Sequence, residues 1–72
     1  MKLPEVLQIS LAAARVNAKL TQEEVANKMK IGKRTIINWE KGTVTPSFAN
    51  LKMLSDIYGI PVDNIFLPQE AT

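Results

Sequence analysis

Apolar residues recur along this chain at steps of three and four, the spacing of one helix face. Leu7, Leu11, Ala14 and Ala18 make the first such stripe, and Pro4 followed by Glu5 suits a first helical turn. A first helix is therefore predicted from there to about Ala18, with that stripe buried. Thr21-Gln22-Glu23-Glu24 then has the form of a capping box, with Glu24 three residues after the Thr. Leu20 and Val25 stand where a hydrophobic staple needs them. Val25, Ala26 and Met29 mark the buried side of a second helix ending near Met29 or Lys30.

Only Lys30 to Gly32 separate this helix from a third, predicted over about Lys33 to Glu40 and stopped at Lys41-Gly42. Gly42 is the expected left-handed residue beyond its end. Thr43 to Thr45 read as a loop. Pro46-Ser47 introduce a fourth helix whose core positions are Leu51, Leu54, Ile57 and Phe48, closing at Gly59. Ile60-Pro61 leads into a short fifth helix, about Val62 to Phe66, with Ile65 in the core. The prediction is an all-α bundle of five helices and no strands, one domain over residues 1–72, with the last residues, PQEAT (68–72), as a frayed tail.

Composition narrows what such a bundle can do. A hydrophobic fraction of 46% with 22% charged residues fits one small globular domain. No apolar run approaches the roughly 20 residues of a membrane span. The start of the chain lacks a signal-peptide pattern, so a cytoplasmic location is expected. The chain has no Cys and no His, which removes thiol chemistry, the commonest general base and the commonest metal ligands. Glu23 and Glu24 point about 100° apart on a helix and cannot flank one bond. No enzyme activity, cofactor, metal or small-molecule substrate is expected.

Charge is the uneven property. Lys28, Lys30, Lys33, Arg34 and Lys41 face a single acid, Glu40, so residues 28–41 carry +4 of a chain whose total is +2. Such a patch either attracts an anionic polymer or is a solvated face. On a helical wheel Lys33, Arg34, Ile37, Asn38 and Lys41 share one arc of about 140°, and Ile36 and Trp39 lie on the other side. The outward arc holds the groups the major groove can use: Arg or Lys for guanine O6 and N7, Asn for adenine N6 and N7. Lys33 and Arg34 at a helix N-terminus oppose the macrodipole by about 0.3–1 kcal/mol each, a cost an approaching phosphate or guanine edge would offset. Trp39, beside Ile36 and away from Arg34, is read as structural.

These residues resemble the Cro/repressor-type (XRE-like) helix-turn-helix family of bacterial and phage transcription regulators. The resemblance runs from about Leu7 to Leu67 through Leu20-Thr21-Gln22-Glu23-Glu24-Val25-Ala26, Ile31, Thr35-Ile36, Trp39-Glu40-Lys41-Gly42, Pro46-Ser47 and Tyr58-Gly59-Ile60. It implies a lambda-repressor-like DNA-binding domain whose helix-turn-helix spans about 21–41, with Gln22 to Met29 positioning and Lys33 to Glu40 recognising. It further implies that Lys33, Arg34 and Asn38 read bases, that Ile37 meets a thymine methyl, and that Gln22, Lys41 and Thr43 hold phosphates. Arg15 and Glu40 match an internal salt bridge of the family. The sequence departs from the family pattern at Lys19 and Lys30, both common Gly positions, and at Gly32, where Ser or Thr usually caps the recognition helix. Lys30 must either turn left-handed or relax the turn.

The function expected is sequence-specific binding of double-stranded DNA by a small repressor or Cro-like regulator. One recognition helix reads too few base pairs, so a homodimer on a palindromic operator is expected, with half-sites about 34 Å apart. Phe66 and Leu67 either form the dimer contact or close the core. The alternative is a protein-binding adaptor on the same fold, such as an antitoxin or antirepressor partner, which would not need Lys33, Arg34 and Asn38 on one face.

Overall fold

Among the described residues a strand comes first: Ile9–Ser10 form β1, two residues of extended chain. The computed structural model describes residues 8–67. Ser10 has extended dihedrals, and its hydroxyl accepts from the backbone N–H of Ala13 at 3.0 Å. That cap starts α1, Leu11–Asn17. The first helix is thus shorter than its apolar stripe suggests. Leu11 and Ala14 are buried, but residues 8–10 are not helical, and Leu7 with the Pro4-Glu5 start lies outside the described residues.

Helix α2, Gln22–Met29, opens on the complete capping box: Glu24 N–H donates to Thr21 Oγ1 at 3.0 Å, and Thr21 N–H donates to Glu24 Oε1 at 2.8 Å. Helix α3, Lys33–Lys41, follows after three residues and opens on Gly32, which offers no side-chain cap. Helix α4, Phe48–Tyr58, is capped by Ser47, whose hydroxyl accepts from Asn50 N–H at 3.1 Å.

All four helices stop in the same way. Lys19, Lys30, Gly42 and Gly59 each adopt a left-handed conformation, with φ of 62°, 59°, 87° and 69°. The next N–H along the chain then donates back five residues: Leu20 to Arg15, Ile31 to Ala26, Thr43 to Asn38 and Ile60 to Ser55, all at 3.0–3.1 Å. This is the Schellman arrangement, which satisfies carbonyls a helix end would otherwise leave open. Lys30 therefore takes the left-handed option and the turn stays tight.

The chain beyond α4 departs from the predicted fifth helix. Val62–Asn64 form one 3-10 turn, and Ile65–Phe66 then become a strand, β2. It pairs in parallel with β1, in the register Ile9 to Ile65 and Ser10 to Phe66. The described residues thus form four α-helices, a 3-10 turn and a two-stranded pair rather than five helices without strands. The five residues Val62 to Phe66 would make little more than one α-helical turn, which gains too few hydrogen bonds to offset nucleation, whereas extended chain lets Ile65 pair with Ile9 and enter the core. The segment 68–72 lies outside the described residues.

The core gathers one or more residues from every helix and from β2: Leu11, Val25, Ile36, Trp39, Leu54, Tyr58 and Ile65 among them. Phe48 is not among them and stands 70% exposed. Side chains on a helix lean toward its N-terminus, so the ring of the first residue of α4 projects past the last turn that could cover it. Tyr58 occupies the core face in its stead.

Candidate nucleic-acid interface

Helix α3 is anchored by one side and by its C-terminal end. Ile36 and Trp39 are 1% and 5% exposed, which fixes the helix's rotation about its own axis. At its C-terminal end the carbonyl of Asn38 accepts from Gly42 N–H at 3.0 Å, Thr43 N–H at 3.1 Å and Thr43 Oγ1 at 3.2 Å. On the opposite side Lys33, Arg34 and Lys41 are exposed and make no ion pair with any described residue, while Ile37 and Asn38 between them are half-buried. The cationic tips are therefore held up to solvent and not folded back onto the body.

The first turn of α2 lies next to this surface. Thr21, Gln22 and Glu23 line one groove together with Arg15, Leu20 and Lys33. Gln22 and Lys33, expected on a phosphate and a base respectively, are thus brought together across two helices. Thr43 is exposed, but its hydroxyl donates inward to Asn38 and has only that one proton to give.

Beneath the surface sits a polar hub. Arg15 Nε donates to Glu40 Oε2 at 2.8 Å and Nη2 donates to Oε1 at 3.3 Å; Nη1 donates to the Leu20 carbonyl at 2.9 Å. The two side chains are 15% and 8% exposed. The hydrogen bond to Glu40 raises the Arg15 pKa further, against the opposing effect of burial. Gln22 joins the hub, donating from Nε2 to Glu40 Oε1 at 3.0 Å. Nothing in the periodicity of the sequence points to that bond, because its partners are 18 positions apart on separate helices. Tyr58 lies close enough to feel both charges; burial first, and Glu40 second, push its hydroxyl up to about 12, with Arg15 opposing.

Phe66 is 49% exposed, and Leu67 is half-buried against the core; with Gln8 and Ile65 they line a depression beside the strand pair. Among the described residues no helix is long and apolar enough to cross a membrane.

Comparison with known proteins agrees with this geometry. The helix-turn-helix family model matches residues 11–65, and the chain belongs to this XRE-type helix-turn-helix family of DNA-binding transcription regulators. Among its relatives, the cryptic phage CTXphi transcriptional repressor RstR of Vibrio cholerae is 39% identical over 56 residues, 78% of this chain and 50% of that protein. An uncharacterized HTH-type transcriptional regulator of Methanocaldococcus jannaschii is 33% identical over 51 residues, 71% of this chain and 77% of that protein. The HTH-type transcriptional activator BcrR of Enterococcus faecalis is 28% identical over 60 residues, 83% of this chain and 29% of that protein. The chain thus spans half the length of the phage repressor and under a third of the activator.

Proposed function

We propose that this chain binds double-stranded DNA sequence-specifically in the cytoplasm and represses transcription, as a homodimer on a palindromic operator. The observation that carries the reading is the two-sidedness of α3: Ile36 and Trp39 lock one face while Lys33, Arg34 and Lys41 stand exposed on the other. Lys33, Arg34 and Asn38 present donors to base edges, and Ile37 presents a methyl surface to thymine. Gln22, Lys41 and Thr43 hold phosphates on either side of the groove. Thr43 does so by exchanging its bond to the Asn38 carbonyl or by accepting from an intervening water.

Repression is favoured over activation by the relative with the highest identity quoted above, which is named a repressor. Pairing of two copies through Phe66 and Leu67 is supported by the half-exposed ring of Phe66 beside the strand pair. Selection of binding sites from a random duplex pool tests the whole reading. A two-fold symmetric consensus with half-sites about one helical turn apart is expected; recovery of no consensus, or of an asymmetric single site, would refute the operator model.

A further inference from the structure

Within the polar hub the carboxylate of Glu40 serves two partners. Its bond to Arg15 is explained by burial: a charge 8% exposed needs a counter-charge. Its bond from Gln22 is not required by that logic, since Gln22 is neutral and heads α2 beside a groove open to solvent. A glutamine amide carries two N–H groups. Glu40 takes one of them, and the other has no partner among the described residues.

We propose that Glu40 is a positioning residue for the DNA backbone contact: by holding one N–H of Gln22 it aims the other at a phosphate. The inference rests on the DNA reading above. Three features make the arrangement effective. Fixing the amide beforehand removes side-chain freedom that Gln22 would otherwise lose on binding. Arg15 neutralises the carboxylate, so a phosphate arriving at Gln22 does not meet an unpaired negative charge nearby. Glu40 itself belongs to α3, so the phosphate contact made from α2 is keyed to the setting of the helix that reads bases. Backbone contacts fix register and base contacts specify sequence; a shared carboxylate couples the two.

The test uses the full chain and the duplex it selects from a random pool. Gln22→Met removes the donor and leaves the Arg15–Glu40 pair intact. Glu40→Gln leaves one acceptor oxygen, which Arg15 takes, and turns an NH2 toward Gln22. Each variant is expected to weaken binding about tenfold, and the double variant no further than the weaker-binding single one, because both act through one bond. Ethylation of one particular phosphate per half-site is expected to weaken the wild type and to leave both variants unaffected. Additive losses, or persistence of that ethylation effect in Glu40→Gln, would overturn the assignment. Should Glu40→Gln fail to fold, the side-chain amide resonance of Gln22 in the wild type decides. One of its two protons is expected to shift on DNA binding while the other keeps its contact with Glu40, and an unmoved pair of resonances overturns the proposal. Absence of binding to any duplex would overturn the DNA reading and this assignment with it, whereas tight binding with unmoved resonances overturns the assignment alone.

Discussion

Two lysines occupy backbone positions that suit glycine. Lys19 and Lys30 sit at φ of 62° and 59°, where a Cβ meets steric resistance worth roughly 1–2 kcal/mol. Replacing Lys30 with Gly relieves that strain but lets the unfolded chain gain freedom, a penalty of about 0.5–1 kcal/mol. A net stabilisation of about 0.5 kcal/mol is expected for Lys30→Gly and for Lys19→Gly, read as a higher midpoint in denaturant unfolding; a lower midpoint would show that these lysines make stabilising contacts of their own. Tyr58 supplies a pH dependence. Its folded-state pKa of about 12 lies above the 10.0 ordinary for a tyrosine hydroxyl, so its contribution is fully present below pH 10. As the pH rises further the unfolded chain ionises first, and stability is expected to fall between about pH 10 and 12. Tyr58→Phe should flatten that part of the unfolding-versus-pH curve. The family's glycine positions made Lys19 and Lys30 conspicuous in the sequence, but only the hydrogen bonds from Leu20 and Ile31 show why the turns stay tight around them.

At the scale of elements, local chemistry was the readable part. The capping box at Thr21, the stop at Gly42 and the start at Ser47 involve residues no more than five apart, and helix α2, α3 and α4 begin and end within a residue or so of the predicted places. Where the deciding partner was distant, prediction failed. The expected first helix is interrupted at Ile9–Ser10, and the expected fifth gives way to a strand, because Ile9 pairs with Ile65, 56 positions away; the Ser10 cap, a bond across only three positions, is hidden by the stripe from Leu7 that runs through it. Helix α3 carries the sharpest functional contrast. Arg34→Ala and Asn38→Ala are expected to relax preference at particular operator positions by about 1–3 kcal/mol, while Lys41→Ala weakens cognate and random duplexes alike. Binding measured on single-base operator variants separates the two classes, and equal losses everywhere for Arg34→Ala would remove it from the base readers.

For the whole molecule, charge placement matters more than charge total. A net charge of +2 predicts little attraction to DNA, yet binding is expected to weaken with salt by about 0.9 log units per phosphate neutralised for each log unit of salt. A titration from low to moderate salt that left affinity unchanged would count against the groove contact by Lys33, Arg34 and Lys41. The sequence by itself determined the helical periods, the caps, the cationic arc of the third helix and the family, because each depends on neighbours within a few residues or on a recurring pattern. The tertiary structure decided which aromatic rings are covered, that Phe48 is left out while Tyr58 goes in, that Ile9–Ser10 and Ile65–Phe66 pair as strands, and that Gln22 shares a carboxylate with Arg15. Those outcomes turn on which distant surfaces meet when helices pack, and no spacing along a linear chain encodes them one residue at a time.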